Sequence, residues 1–230
     1  MLRQRSSRLE ILDTQTVTDA RYAAVLADLA VVNTLTRARP PTLRFLARAA
    51  HRAPGRVFRI LDVGFGEGDM LRRIHRWGTR RGMQFELAGI DLNPGCAAAA
   101  RAATPPGMEI DYRTGDLFDV LPGGYDLVLS SLFTHHLDDA QLIAFLRWME
   151  ASAGIGWFVN DLHRHALAYH GFRLLAAAAR FDPIVRHDGA ISVTRGFRRR
   201  DWERLLRAAG VNGAAIEWHL PFRFCVSRLR

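Results

Sequence analysis

The chain contains no lysine: all 32 of its basic Lys and Arg positions are arginine, set against 23 acids, for a formal net charge of +9. A nucleic-acid partner is met by cations gathered on one face. Here the arginines are scattered, in a sequence also rich in alanine, a bias that a GC-rich coding sequence produces by itself. The one compact basic run, Arg198 to Arg200, opens an amphipathic stretch and reads as a solvated helix face. No nucleic-acid partner is therefore expected. Cysteine is nearly absent too: Cys96 and Cys225 have no metal-like spacing, and a disulfide between them is not expected in a reducing cytosol. No apolar run approaches the roughly 20 residues of a membrane helix, and the arginine-rich start lacks the apolar segment of a secretory signal. A cytoplasmic protein without a membrane span, monomeric or homodimeric, is the expectation. What is present suffices for one substantial core: 230 residues, 49% of them hydrophobic.

The most informative stretch is RILDVGFGEG, from Arg59 to Gly68. An apolar run ends in an acid and breaks into three alternating glycines, which reads as a buried strand turning sharply into a helix. Gly64, Gly66 and Gly68 remove side chains where the backbone takes unusual dihedrals and a ligand approaches closely. The helical spacing from Asp69 onward places the free N–H groups of a helix start beside that ligand. A second apolar run, Phe85 to Asp91, also ends in an acid, at the distance expected for a ribose-binding carboxylate in a βαβ nucleotide site. The glycine order is G-x-G-x-G and not the G-x-G-x-x-G of a dinucleotide site. Glu67 and Asp69 within the turn suit a ligand with a positive centre better than a pyrophosphate.

These segments resemble the motifs of class I S-adenosylmethionine-dependent methyltransferases, whose first motif is an acid followed by G-x-G-x-G. The resemblance runs on in order: Asp91 is similar to that family's ribose-binding acid, with Leu92 next to the adenine. Asp116 and Leu117, in TGDL from Thr114, resemble the segment that meets the adenine amino group. Gly124 to Ser131 resembles the fourth strand, which closes the cofactor pocket. It covers roughly residues 55 to 160. It implies S-adenosyl-L-methionine as cofactor, held by Asp62, Gly64, Phe65, Gly66, Gly68, Asp91, Leu92, Asp116, Leu117 and Ser131. It also implies an α/β, Rossmann-like fold: a mostly parallel seven-stranded sheet with an antiparallel terminal strand and helices on both faces.

Punctuation divides the chain accordingly. Residues 1–54 carry two helical patterns broken at Arg39, Pro40 and Pro41, since prolines cannot lie inside a helix. They read as a helical cap, with Tyr22 and Asn33 able to reach inward. Residues 55–230 read as the catalytic domain, with alternating strands and helices up to Asp161. A lid insertion follows at about 162–196, as a helix from Arg164 to Arg180 and then a loop through Asp182, Pro183 and Gly189 to Gly196. Such a long connection is assigned to the wall of the acceptor pocket. A helix to Ala209 and a hairpin around Leu220 and Pro221 complete the chain.

Methyl transfer from a sulfonium is an in-line displacement, so the protein positions the acceptor and, for a hydroxyl, removes its proton. Histidine suits that removal because it titrates near neutrality. His135 and His136 follow the fourth strand, at the sheet edge that faces ligands in open α/β folds. In plant-type small-molecule O-methyltransferases a catalytic histidine stands at the corresponding place, and His135 lines up with it best. Asp138 and Asp139 read as caps of the next helix. His163 leaves the neighbouring strand and is a third candidate base, with His165, Tyr169 and Phe172 as substrate-binding candidates. His163 and His165 alternate like a metal pair, but no third ligand has convincing spacing, so no metal is expected.

What the chain lacks narrows the acceptor. Base amino methylation loses support because Ser130, Ser131, Leu132 and Phe133 stand where an Asn/Asp-Pro-Pro-aromatic motif is usual, and no Pro-Cys pair is present for cytosine C5 chemistry. The leading expectation is O-methylation of a small phenolic or polyketide-like metabolite, in the style of secondary metabolism, with a histidine as general base. C-methylation of a quinone or polyketide ring is the alternative. An RNA or protein methyltransferase stands behind it, as does a cofactor-binding regulator without turnover.

Overall fold

A computed structural model describes residues 2–14 and 17–230. Its elements are α1 (Ile11–Thr14), α2 (Asp19–Leu35), α3 (Arg39–Arg52), β1 (Phe58–Val63), α4 (Asp69–Thr79), β2 (Phe85–Asp91), α5 (Pro94–Ala103), β3 (Asp111–Thr114), β4 (Tyr125–Ser131), α6 (Asp139–Ser152), β5 (Ala153–Leu162), α7 (Ala166–Ala178), α8 (Pro183–Arg195), α9 (Arg199–Ala209), β6 (Ala215–His219) and β7 (Arg223–Leu229). The strands form one seven-stranded sheet in the order β3-β2-β1-β4-β5-β7-β6. Strands β1 to β5 pair in parallel, and β7 runs antiparallel between β5 and β6. From β1 the chain winds outward to β3 and then returns to β4 on the other side. The carboxyl ends of β1 and β4 therefore splay apart into a crevice.

Strand alternation sends side chains to two cores. Leu61, Val63, Val128 and Trp157 pack against α6 and α9. Ile60, Leu87, Leu129 and Phe158 pack against α3, α4 and α5 on the other face. The amphipathic α4 gives its buried face, Met70, Leu71 and Ile74, to that second layer. A third cluster joins Val25 of α2 to Ala176, Ile184 and Val185, with Ile11, Leu12 and Phe172 against it. Helices α1 and α2 thus form one helical layer with α7 and α8, whereas α3 belongs to the layer on the sheet. No helix of the described residues is long and apolar enough to cross a membrane.

Two helices do stand here, but the break lies at residues 36–38: Arg39, Pro40 and Pro41 belong to the first turn of α3, where a proline's missing N–H has no helical partner to lose. The loop expected from Asp182 to Gly196 is a correction: the segment is helix α8. Asp182 caps it by accepting the N–H of Ile184 at 2.8 Å, and Pro183 occupies the first turn. Gly189 reads as a turn in sequence, but its missing side chain makes room for the ring of Phe172 from α7. Asp188 then accepts the N–H groups of Ile11 and Leu12 at 2.9 and 3.1 Å and docks the N-terminal segment.

Candidate active site

The glycine turn leaves β1 with φ of +72° at Gly64, +56° at Gly66 and +73° at Gly68, a region that favours glycine. A side chain at Gly64 would overlap Phe133, and one at Gly68 would overlap Tyr112. At Gly66 nothing lies within 4 Å of the missing Cβ, so this bend presents bare backbone to open space. Asp62, just before the turn, is 2% exposed, and its Oδ1 has no partner among the described residues. Burial, reinforced by the charges of Asp69 and Asp91, pushes its pKa well above the usual carboxylate range. Burial and Asp69 also raise Glu67. Ser131 Oγ, at the end of β4, is likewise buried without a partner. Asp69 is taken up by Arg39, whose Nη2 lies 2.6 Å from it, so the open backbone at Gly66 and the orphaned acceptors of Asp62 and Ser131 are what fit a ligand that ends in an ammonium group.

Asp91 closes the turn from β2. Its Oδ2 accepts the N–H of Gly66 and its Oδ1 that of Asn93, both at 3.0 Å. Leu92 is 71% exposed beside it. Asp116 accepts the N–H of Phe118 at 2.9 Å and so caps the 3-10 turn that buries Leu117. From α2, Tyr22 reaches this side and meets Cys96 Sγ and Asn93 Nδ2 at 3.1 Å each. These groups line the carboxyl ends of β2 and β3, adjoining the cavity and not inside it.

The cavity itself measures about 460 Å³ and runs from Asp62, Phe65 and Gly66 to His135 and His163, under walls from α2, α7 and α8. Leu26, Leu29, Phe172 and Leu175 make much of that wall apolar. His135 stands at its polar end, 3% exposed. Its Nδ1 lies 2.7 Å from Asp161 Oδ1. Asp161 also accepts from Thr134 Oγ1 at 2.5 Å, from the N–H of His135 at 3.0 Å and from the N–H of Leu162 at 2.7 Å. Burial alone would raise its pKa, but the His135 charge and these donors outweigh it and hold the carboxyl at about 2. An ionised carboxylate only accepts, so Nδ1 carries a proton, and in the neutral ring Nε2 is the lone-pair nitrogen, on the cavity side.

Glu10 Oε1 faces that Nε2 at 3.7 Å, and Ser192 Oγ donates to it at 2.8 Å. Burial raises the pKa of Glu10, partly offset by His136 and Ser192. His136, beside His135, has its Nδ1 3.1 Å from Asp13. His163 lines the cavity as well, but Trp218 Nε1 donates to its Nδ1 at 3.1 Å. Burial, helped by His165, Arg198 and Arg164, lowers its pKa to about 4. His165 does not line the cavity: its Nδ1 accepts the N–H of Leu167 and caps α7. Tyr169 faces a separate surface hollow with His170 and His187, whereas Phe172 lines the cavity. Asp138 caps α6 in a capping box with Gln141.

Three groups escape the sequence reading. Asp161 lies in the segment singled out for its histidines, yet it serves His135 from the neighbouring strand. Glu10 stands in an N-terminal stretch with no local signal. Arg223 on β7 is 2% exposed and lines the cavity, donating to Thr36 through Nε and Nη2, with Nη1 unpartnered among the described residues.

Residues 60–156 match a family model described as a methyltransferase domain. The chain is similar to the O-methyltransferase SfmM3 of Streptomyces lavendulae, 35% identical over 94 residues, covering 40% of this chain and 27% of that one. It is also similar to a 3-hydroxy-5-methyl-1-naphthoate 3-O-methyltransferase of Streptomyces sahachiroi, 38% identical over 90 residues, 37% of this chain and 24% of that one. The matches thus span about a quarter of these curated relatives. Among solved structures, the plantazolicin methyltransferase BpumL, crystallised with a pentazolic desmethylPZN analog and SAH, superposes with a TM-score of 0.61 at 13% identity. That superposition covers 92% of this chain and 95% of BpumL, and it shows the shared fold.

Proposed function

We propose that this chain, whose residues 60–156 match a methyltransferase domain, is a class I S-adenosylmethionine-dependent methyltransferase that moves the methyl group to a hydroxyl of a small phenolic or polyketide-like acceptor, with His135 taking the proton. The observation that carries the reading is the buried pair of Asp161 and His135 at the wall of the cavity. Two curated relatives bear O-methyltransferase names, which supports the choice of oxygen.

S-adenosylmethionine, when bound, supplies a methyl group on a positively charged sulfur. The bare bend at Gly66 would take its amino-acid tail, with Asp62 and Ser131 as acceptors for the ammonium. Asp91 would accept from the ribose hydroxyls with the lone pairs that Gly66 and Asn93 leave free. Asp116 and Leu117 would meet the adenine.

The rest is the work of the acceptor end. The cavity of about 460 Å³ includes the Asp62 to Gly66 end that would take the cofactor tail, and the mostly apolar remainder under α2, α7 and α8 suits a small acceptor with few polar groups. Arg223 Nη1, whose two N–H groups have no partner among the described residues, is a donor for an acceptor oxygen. Asp161 fixes the His135 ring so that Nε2 faces the acceptor, and it stabilises the imidazolium that forms when the proton arrives. His163 is a weak base, with its pKa lowered to about 4 and Nδ1 already occupied by Trp218.

The test uses isotopically labelled methyl donor, a chelator and a panel of phenols and hydroxylated polyketides, with products located by NMR. Label on oxygen supports the reading. Bound cofactor with label only on carbon or nitrogen overturns it.

A further inference from the structure

Glu10 lies between two imidazoles. Its Oε1 is 3.7 Å from His135 Nε2, and its Oε2 is 4.0 Å from His136 Nε2. One ligand-type atom from each of these three residues falls within 4.8 Å of the others. Both histidines spend the opposite nitrogen on a carboxylate: His135 Nδ1 on Asp161 at 2.7 Å and His136 Nδ1 on Asp13 at 3.1 Å. Metal-bound imidazoles have this arrangement, because a carboxylate behind the ring fixes the tautomer and leaves the forward nitrogen unprotonated.

The carboxylates Glu10, Asp13 and Asp161 around the cluster are set against two arginines. Arg195 is paired with Asp13 at 3.2 Å and donates to the carbonyls of His135 and His136 at 2.9 and 2.6 Å, and Arg5 is paired with Asp139 at 3.0 Å and donates to the His135 carbonyl at 3.4 Å, so both guanidiniums hold the backbone side of the histidines and not their ring nitrogens. Glu10 and Asp161 have no arginine at ion-pair distance among the described residues. From α8, Ser192 donates to Glu10, and from β5, Asp161 faces His135; neither adds positive charge.

We propose that Glu10, His135 and His136 form a two-histidine, one-carboxylate site for a divalent transition-metal ion. Imidazole with carboxylate suits zinc, iron, cobalt or nickel better than the oxygen-seeking magnesium or calcium. Ligands on a tetrahedral zinc ion at about 2.1 Å stand about 3.4 Å apart, so the three donor atoms, within 4.8 Å of one another here, draw together when an ion is bound. Three protein ligands leave a further position, and the cavity that all three residues line supplies it with water or an acceptor oxygen. The two uses of His135 exclude each other on any one molecule, because the same Nε2 lone pair takes either the proton or the metal. Base assignments are therefore read with chelator present. The metal site is read by binding and does not rest on turnover.

The experiment titrates chelator-stripped, full-length protein with Co²⁺ followed by visible absorption, and with Zn²⁺ by calorimetry. The expected result is saturation at one ion per chain, with the d–d bands of cobalt in a nitrogen and oxygen shell. Glu10→Gln and His136→Ala are each expected to weaken binding at least tenfold, and Asp13→Asn about tenfold through the ring it holds. His136 is the most exposed of the three, so its variant keeps the test alive should Glu10→Gln fail to fold, as read by circular dichroism. No saturable cobalt spectrum, or binding of equal strength in folded His136→Ala, overturns the proposal.

Discussion

Asp91 Oδ2 accepts the N–H of Gly66 at 3.0 Å, so the acid ending β2 holds the one bend of the glycine turn that faces open space. Gly66→Ala therefore separates folding from binding. Alanine at a φ of +56° costs about 1 kcal/mol, and no neighbour crowds the new methyl. The variant is expected to melt slightly earlier yet bind S-adenosylhomocysteine at least tenfold more weakly in calorimetry. Gly64→Ala collides with Phe133 and is expected to lose more stability. Unchanged affinity in Gly66→Ala would remove the turn from the ligand site.

Asp161→Asn tests the role of the buried pair. An amide can donate to His135 Nδ1, which shifts the proton to Nε2 and leaves no lone pair at the cavity. Turnover is expected to fall by about a hundredfold to ten-thousandfold with cofactor affinity nearly unchanged. His135→Ala is expected to fall as far, and the double variant no further, since the two act as one unit. Multiplying losses in the double variant would mean that the pair is not the proton acceptor.

Cofactor affinity should depend on pH through Asp62. Burial keeps this carboxyl protonated well above its ordinary range, and an ammonium partner favours the ionised form. Binding then releases a proton, so affinity rises with pH, by at most about tenfold per unit, until Asp62 is ionised in the free protein. Calorimetry between about pH 5.5 and 7.5 in buffers of different ionisation enthalpy measures the release. Asp62→Asn is expected to bind more weakly with a flat profile. A pH-independent wild type would contradict the ammonium pairing.

His163 sets an acid-sensitive window. Its folded pKa of about 4 lies below the roughly 6.5 of a free histidine, so the unfolded chain takes the proton first. Stability is fully present above about pH 6.5 and is lost as pH falls towards 4. Urea unfolding across that range is expected to show a shallower decline in His163→Gln, which can still accept from Trp218 but does not titrate. Identical slopes would refute the assignment.

Much of this was legible in the chain because it is local. The turn from Asp62 to Gly68 announces itself in spacing, and β2, α5 and β4 begin and end where apolar runs and Pro94 place them. What escaped is long-range. Glu10 reaches His135 across most of the sequence, through a docking made by Asp188 and Ser192 of α8. Asp161 looked like a neighbour of His163 and serves His135, because parallel pairing sets Ser131 beside Asn160. Helix α8 was missed because Gly189 carries a turn signal locally, while the Phe172 ring that needs its empty face belongs to another helix. Tyr169 and Phe172 share α7 but face different hollows, a distinction that packing settles.

The most direct measurement is a calorimetric titration of the metal-free, full-length chain with S-adenosylmethionine and then with S-adenosylhomocysteine. Saturation by both at one ligand per chain, weakened by Asp62→Asn and by Asp91→Ala, is the outcome expected of a cofactor laid across the carboxyl edge of the sheet. A folded protein that takes up neither nucleoside would contradict it.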